Sequence, residues 1–349
     1  MRYSSRWTRH RRRLLTLMLP AAALLPGCSE PTAPTPTEPV VARADLISAP
    51  GSWATKAPIP TPRRGLVGAV VRNPAGQYVF YTIGGLNSGN PAMSRVEAYN
   101  AATNKWTRRA SLPAKRAWSN GADVIGGKIY ITGGEDVSGS IRRTVYAYNP
   151  ATDVWTQRAS LPIASSYGIT AAIGGKLYVV TGSSPDRGQA RLYRYDPATN
   201  AWTRLASPPE RLDSQVGGLI DGKLYLASAW SGTVDVYNPA TNRWTTPFIG
   251  RVCEGDRLEC FRSGAAGIAF NKQLYVIGGG NDDGSLSDVT TYDPATNSWS
   301  SKAPMLHERE GRPVAGKVKN AAGQLQIVVV GGFDGFLGET VTQTEVFTP

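Results

Sequence analysis

The sequence has little of what most catalytic and metal sites are built from. It contains two histidines and three cysteines in 349 residues. Because His10 lies in a basic N-terminal segment, a Ser-His-Asp or Cys-His device would have to use His307. That residue falls in a loop, where we expect it to be solvated, and zinc or copper normally needs two or more such ligands close together. We therefore expect no catalytic residue, no metal and no cofactor. The composition favours a protein that is not an enzyme, without deciding the question.

Charged residues are also scarce, at 18% of the chain. The formal net charge is +12, and six arginines within residues 1–27 contribute half of it. The other lysines and arginines are spread along the chain rather than clustered. Since nucleic-acid binding normally uses a basic patch, this distribution predicts a mildly basic, solvated surface and no nucleic-acid partner.

Long hydrophobic runs are missing as well. The apolar run from Leu14 to Pro26 has thirteen residues, whereas a membrane-spanning helix needs about 20. The basic residues Arg9 to Arg13 come directly before it. This arrangement is typical of a signal peptide, which we place at residues 1–27.

The apolar run ends in Leu25-Pro26-Gly27-Cys28, which resembles the lipobox of bacterial lipoproteins. The resemblance implies that Cys28 becomes the new N-terminus and carries acyl chains, which would hold the protein on a membrane. Pro26 departs from the usual small or aliphatic residue. Ser29 implies the outer membrane, by a sorting rule known for some Gram-negative lipoproteins. We expect a lipid-anchored envelope protein that faces the periplasm or the surface, exported by the general or the twin-arginine route; a simple secretory peptide is the alternative.

Two further features follow from export. Proline and threonine alternate over residues 29–39 with almost nothing apolar, which predicts an extended tether, placed at residues 28–50. Cys253 and Cys260 flank a turn-like segment. In an oxidising compartment these two cysteines are expected to form a disulfide, and two free thiols are the alternative.

Glycine, proline, tyrosine and tryptophan are abundant, and they recur in a repeated unit. The segment from Tyr99 to Trp106 returns at 148–155, 195–202, 237–244 and 292–299. Asn or Asp followed by Pro-Ala-Thr suits a type I turn, and the next Asn or Asp tolerates the left-handed conformation. Each unit is therefore a hairpin between two short strands, with the tryptophan on the returning strand.

Two more strands precede each unit. One is rich in small residues, and the other is β-branched or aromatic and often ends in two glycines, as in Lys128 to Gly134. Four antiparallel strands per repeat make one blade of a β-propeller. The C-terminal repeat lacks its tryptophan strand, and Trp53 lies in a strand without a repeat before it. We predict an all-β, six-bladed propeller over residues 51–349 whose last blade is closed by the Trp53 strand.

The double glycine, the spaced tyrosine and the tryptophan of the last strand resemble Kelch repeats over about residues 52–349. Blades 3 and 4 depart from the glycine pair, with Thr181-Gly182 and Ala227-Ser228. Bacterial exported Kelch proteins include six-bladed sialic-acid mutarotases, and the likeness to these is at the level of the fold. The copper-radical oxidases built on Kelch propellers need ligands that this sequence lacks.

Arginine recurs just before the small inner strand of most repeats. Equivalent positions in a propeller form a ring. These arginines are therefore expected either to support the fold through nearby backbone and acidic groups, which is the common role of arginine here in Kelch repeats, or to form an anion-binding mouth. Blade 3 has Ser166 instead. The candidate ligand-binding residues are Arg64, Arg116, Arg211, Arg262 and Arg312.

Three functions remain open at this stage. The first is a monomeric binding module for a protein, peptide or carbohydrate ligand, which an arginine mouth would make anionic. The second is a sugar-acid mutarotase or epimerase, which needs a carboxylate beside an arginine. The third is a structural envelope lipoprotein.

Overall fold

The Kelch-like repeats fold as four-stranded antiparallel sheets, as the spacing of their hairpins predicts. The computed structural model describes residues 51–87, 89, 91–186, 188–209, 215–228, 233–248 and 262–349. The signal peptide, the tether, Arg211, Cys253 and Cys260 lie outside these residues. Within the described ranges the regular elements are all strands, and none of them holds a helix that could cross a membrane.

Six sheets form the ring, and each contains four strands. Blade 1 contains β2 (Val67–Arg72), β3 (Tyr78–Ile83), β4 (Val96–Asn100) and β5 (Lys105–Arg108). Blade 2 contains β6 (Gly121–Ile125), β7 (Lys128–Thr132), β8 (Val145–Asn149) and β9 (Val154–Arg158). Blade 3 contains β10 (Ile169–Ile173), β11 (Lys176–Val180), β12 (Leu192–Asp196) and β13 (Ala201–Arg204).

The second half of the ring repeats this order. Blade 4 contains β14 (Gln215–Ile220), β15 (Lys223–Ser228), β16 (Val234–Asn238) and β17 (Arg243–Phe248). Blade 5 contains β18 (Ala266–Phe270), β19 (Gln273–Ile277), β22 (Val289–Asp293) and β23 (Ser298–Lys302). The loops of blades 5 and 6 add two small hairpins, β20 (Gly280–Asn281) with β21 (Gly284–Ser285), and β26 (Phe333–Asp334) with β27 (Glu339–Thr340). Blades 3 and 4 keep four strands although they lack the glycine pair.

Blade 6 is assembled from both parts of the chain. It contains β24 (Val314–Lys319), β25 (Leu325–Val330), β28 (Thr344–Thr348) and β1 (Ser52–Lys56). Trp53 lies opposite Phe347, and its indole nitrogen donates to the carbonyl oxygen of Ala303 in blade 5 over 2.8 Å. The predicted closure by the Trp53 strand is confirmed. It removes two exposed sheet edges.

The recurring tyrosine-to-tryptophan unit joins neighbouring blades. In blade 3, Asn200 has φ 53°, and its side-chain oxygen accepts hydrogen bonds from the Tyr195 hydroxyl at 2.7 Å and from the Ala159 amide at 3.0 Å. The indole nitrogen of Trp202 donates back to the Ala159 carbonyl at 2.8 Å. Each turn therefore fixes its own hairpin and also the start of the connection from the preceding blade.

The apolar core lies between the blades. Six buried clusters fill the six interfaces, and each takes residues from two adjacent sheets. All six blades and all six clusters lie within residues 51–349. The described sheets and the clusters between them are thus contained in this range.

The ring has two different faces. Inner strands all run from one face to the other, so the loops between second and third strands and the connections between blades lie on one side, here called the mouth face. The tight turns within the first and second hairpins lie on the opposite side, here called the hairpin face. Ser52 pairs with Thr348 at the hairpin-face end of blade 6, so the described chain begins there.

Candidate functional site

Of the five predicted arginines, the four that the structure describes do not share one repeat position. An isolated β-bridge to the residues that follow the second strand of the same blade marks equivalent positions before five of the six inner strands, at Arg64, Ala117, Ser166, Ser263 and Glu310. Arg64 is itself a bridge residue, whereas Arg116 and Arg262 precede the bridge by one residue and Arg312 follows it by two. The structure thus divides these residues into two groups with different surroundings.

Arg116 and Arg262 are buried, and their guanidinium groups bind the third strand of their own blade. Arg262 donates to the carbonyl oxygen of Asp288 at 3.0 Å and to the Thr290 hydroxyl at 2.6 Å. Arg116 donates to the Thr144 hydroxyl at 2.9 Å. Burial lowers the pKa of both side chains. These contacts hold the connection between blades against the sheet.

The same repeat position carries two arginines that the sequence analysis did not select. Arg63 is fully buried and pairs with Glu97 at 2.5 Å. Arg309 is also fully buried, and its Nη2 lies 3.3 Å from Glu345. The buried ring is therefore formed by Arg63, Arg116, Arg262 and Arg309 in four of the blades.

Arg64 and Arg312 face the mouth instead. The Arg64 guanidinium lies over the ring of Phe333, 4.4 Å from its centroid. Arg312 lies 5.6 Å from the centroid of Tyr167, and its Nη2 donates to the carbonyl oxygen of Gly168 at 3.1 Å. Because blades 6 and 3 are opposite each other in the ring, this side chain crosses the axis.

Arg312 forms no ion pair with a carboxylate within the described part of the chain. Burial lowers its pKa to about 10, and the nearby Tyr167 opposes that shift. The side chain is only partly exposed, and a guanidinium that has lost much of its water without gaining an opposite charge costs free energy, which a bound anion would offset. This is the most distinctive electrostatic feature of the mouth.

Two aromatic residues form one wall of the mouth. Trp118 and Tyr167 stack with their centroids 5.1 Å apart and their planes at 17°. Both have positive φ, 54° and 59°, at the position that is glycine in blades 1, 5 and 6. The amide of Trp118 donates to Gly65 at 2.8 Å, and the amide of Tyr167 donates to Trp118 at 2.9 Å. The strained backbone is thus held by hydrogen bonds from blade to blade.

Two carboxylates stand beside this wall. Burial raises the pKa of Glu310, and Asp334 adds to the shift, whereas Arg64 opposes it. Burial likewise raises the pKa of Glu135, which accepts a hydrogen bond from Ser166 at 3.2 Å. A carboxyl group with a raised pKa beside an arginine, as Glu310 is beside Arg64, can take or give a proton.

A cavity of about 360 Å³ lies among these groups, and Arg312 and Gln215 also line the axial channel of about 530 Å³ behind it. Gln215 is 5% exposed, and its Oε1 has no hydrogen-bond partner in the described ranges. The cavity thus offers a cation, an acceptor that lacks a donor, and an aromatic wall. Its lining comprises Trp118, Tyr167, Ser183, Gln215, Ser263, Gly264, Ala265, Glu310, Gly311 and Arg312.

His307 is not simply a solvated loop residue, which corrects the sequence-based expectation. Its Nδ1 contacts Oε1 of the buried Glu345, and the imidazole side chain is 39% exposed. Glu345 in turn lies against Arg309. Among the described residues, no group of three or more His, Cys, Asp or Glu side chains is placed to hold a metal ion.

Comparison with known proteins shows the family. The model of the KLHDC2/KLHL20/DRC7 Kelch-repeats domain matches residues 51–228 and 122–332. The chain therefore belongs to the Kelch-repeat family, as the glycine pairs and the tyrosine-to-tryptophan units predict.

Relatives with curated names match only in part. Spermatocyte protein spe-26 of Caenorhabditis elegans is 35% identical over 105 residues, which cover 30% of this chain and 16% of that protein. Beta-scruin of Limulus polyphemus is 38% identical over 80 residues, or 23% of this chain and 8% of that protein. The chain thus spans a small fraction of the length of either relative.

A solved structure agrees with the fold over most of the chain. The structure of YjhT superposes with a TM-score of 0.64 at 17% identity and covers 82% of this chain and 95% of that one. At this identity the likeness concerns the propeller alone.

Proposed function

We propose that this Kelch propeller is a binding module that holds an anionic protein, peptide or glycan ligand at its mouth. The observation that carries the proposal is Arg312, a partly buried guanidinium that reaches across the axis and has no carboxylate partner among the described residues. Arginine suits carboxylate and sulfate groups because its fork of donors matches their geometry. Because Arg312 lines both the mouth cavity and the axial channel, its guanidinium is available to a ligand that enters the cavity.

The aromatic wall favours a ligand with a flat or apolar face next to its charge. Trp118 and Tyr167 present stacked rings beside Arg312. Such rings contribute large contact area at low cost in side-chain entropy. A sugar ring or an aromatic side chain attached to a carboxylate has this combination. Kelch proteins commonly bind proteins, so an acidic peptide segment is included in the proposed class.

The setting that we propose is the cell envelope. Its support comes from the sequence: the basic and apolar leader, the lipobox-like Leu25 to Cys28 and the proline-rich tether. The proposal includes lipidation of Cys28, a disulfide between Cys253 and Cys260 and a monomeric propeller. Mass spectrometry of the exported protein tests the first two directly, because an acylated N-terminal cysteine and a disulfide each change the peptide mass.

Binding is tested on arrays of matched acidic and neutral glycans and peptides. The wild-type domain is expected to prefer the acidic member of a pair, and Arg312→Ala to lose that preference. Arg143→Ala is the matched control, because Arg143 is exposed on the same face outside the cavity. Equal binding of wild-type protein and Arg312→Ala to every acidic probe would contradict the proposed site.

A second candidate function is catalysis of anomeric exchange in a sugar acid. Glu310 favours it, because a half-buried carboxyl group with a raised pKa lies in the same cavity as Arg312. Glu310 would move the proton while the arginine fixes the acid group. Exchange spectroscopy on sugar acids tests this: wild-type protein should accelerate the exchange and Glu310→Gln should not. No acceleration by wild-type protein excludes the enzyme but leaves the binding module intact.

A further inference from the structure

The hairpin face carries a cationic side chain at the inner turn of every blade. These residues come from the end of the first strand, the turn itself or the start of the second strand. They surround the end of the channel that is remote from Arg312. The six residues are Arg72, Lys128, Lys176, Lys223, Lys272 and Lys319.

Most of these cationic side chains have no ion-pair partner among the residues that the structure describes. Lys176 pairs with Asp196 at 2.6 Å, and the exposed Lys272 lies 3.5 Å from Asp221. The other four make no ion pair with a described residue. Three more cations point to the same face, namely Lys317 near the channel and the outer-turn residues Lys105 and Arg243.

The acids of this face are fewer, and each has a partner. Besides Asp196 and Asp221, the outer turns contain Asp153, which accepts from Tyr148, and Asp293, which accepts from Gln273 at 3.0 Å. The buried Asp123 accepts from the backbone of Val124 and Ala172, each at 2.7 Å. The face as a whole is therefore positive.

The chain reaches the propeller on this same face. Ser52 pairs with Thr348, and the side chain of Gln326 donates to Thr348 at 2.6 Å, beside the inner turn that follows Lys319. A tether that runs from Cys28 to residue 50 would thus leave from the positive face. An extended proline-rich segment of this length reaches about 70 Å. The tether alone would not fix the orientation of the ring.

We propose that the hairpin face docks on an anionic phospholipid surface and that the mouth consequently points away from the membrane. Several cations that lie within about 8 Å of charged headgroups add their attraction. Of the large apolar side chains that are exposed in the described ranges, only Val154 is on the hairpin face; Val137, Leu306, Phe336 and Leu337 are on the mouth side. The contact is therefore electrostatic, without insertion into the bilayer.

In this orientation the proposed lipid anchor is on the side of the ring that faces the membrane, and the proposed mouth is on the opposite side. It rests on the proposed function for its biological setting. Its physical content, affinity of one face for anionic lipid, does not require the lipid anchor. It can therefore be tested on a chain that lacks both the signal peptide and Cys28.

The test is co-sedimentation of residues 29–349 with vesicles. The vesicles are phosphatidylcholine alone or with about 30% phosphatidylglycerol, at about 0.1 M and about 0.5 M salt. We expect binding to the anionic vesicles at low salt, little binding at high salt and none to neutral vesicles. In the triple variant Lys128→Glu, Lys223→Glu, Lys319→Glu, the partition coefficient should fall at least tenfold.

The control variant changes the same charge elsewhere. Lys115→Glu, Arg143→Glu, Arg204→Glu replaces three exposed cations that lie toward the mouth face, and it should bind vesicles like wild type. Circular dichroism and thermal unfolding confirm that both triple variants are folded. No binding by wild-type protein, or equal losses in the two variants, would overturn the proposal.

The outcomes also separate this proposal from that of the mouth. The hairpin-face variant should keep the preference for acidic array probes, and Arg312→Ala should keep vesicle binding. If the wild-type protein binds anionic vesicles but shows no preference for acidic array probes, the proposal for the mouth fails. If it prefers acidic array probes but does not bind vesicles, the proposal for the docking face fails. Retention of anionic-vesicle binding by Lys128→Glu, Lys223→Glu, Lys319→Glu would contradict the assignment of the hairpin face.

Discussion

Arg312 in blade 6 donates a hydrogen bond across the propeller axis to the carbonyl oxygen of Gly168 in blade 3, at 3.1 Å. Its guanidinium therefore separates the mouth cavity from the channel. Most arginines at the start of the inner strands bind their own blade and support the fold. The difference predicts that substitutions at these positions will affect stability and ligand binding separately.

The first prediction compares Arg312 with Arg262. Arg312→Met should change the free energy of unfolding by less than about 1 kcal/mol, because one lost hydrogen bond is offset by removal of a partly buried charge that has no ion-pair partner among the described residues. Arg262→Met should cost about 2–3 kcal/mol, because it leaves the Asp288 carbonyl and the Thr290 hydroxyl without a charged donor. Urea unfolding measures both. A larger loss at Arg312 than at Arg262 would mean that Arg312 is a structural residue.

The second prediction concerns the buried pair of Arg63 and Glu97, which are 2.5 Å apart. Glu97→Gln should destabilise the domain by about 3–5 kcal/mol, because it leaves the Arg63 charge buried and uncompensated. The control is Asp221→Asn, which removes the exposed pair with Lys272 and should cost less than about 1 kcal/mol. Similar losses in urea unfolding would show that burial does not govern these pairs.

A third prediction separates backbone conformation from hydrogen bonding at the outer turns. Asn200→Gly and Asn200→Ala both lose the acceptor for Tyr195 and Ala159. Only the alanine variant also has a Cβ in the left-handed conformation, with φ 53°, which costs about 1–2 kcal/mol. We expect the alanine variant to be less stable than the glycine variant by about 1 kcal/mol in thermal or urea unfolding. Equal stabilities would mean that the turn relaxes.

The fourth prediction is a pH dependence of ligand binding. Burial raises the pKa of Glu310 above the ordinary range of glutamate. Below that pKa the carboxyl group is neutral and does not repel an anionic ligand from the arginines of the mouth. As the pH rises through it, the affinity for an acidic probe should fall. The stability contribution has the same sign, since it is present at low pH and is lost as the pH rises through the folded-state pKa. Glu310→Gln should flatten the binding profile at pH values above the ordinary pKa of glutamate, and an unchanged slope would exclude Glu310.

The fold could be predicted because its signals are local and repeated. The turn around Asn200 and the tryptophan that follows recur in five blades, and Trp53 supplies the sixth. Each signal specifies a hairpin, and the number of hairpins gives the number of blades. Closure by the Trp53 strand followed from the incomplete last repeat.

The mouth was less predictable because an offset of one or three residues changes where an arginine side chain points. Arg63 and Arg64 are neighbours, yet one is fully buried and the other lies over Phe333. Trp118 and Tyr167 could have been found in the sequence. They occupy a position that is glycine in three other blades, so a bulky residue there has to adopt positive φ.

The most direct test of the account is an NMR titration of the 51–349 domain with matched probe pairs, methyl glucuronide against methyl glucoside and benzoate against benzamide. We predict that the charged member of at least one pair shifts the indole N–H of Trp118 and the amides of Gly168 and Arg312. The neutral member should shift them much less, and Arg312→Ala should remove the difference. Equal shifts by charged and neutral probes, or a response that Arg312→Ala leaves intact, would contradict the anion-binding mouth.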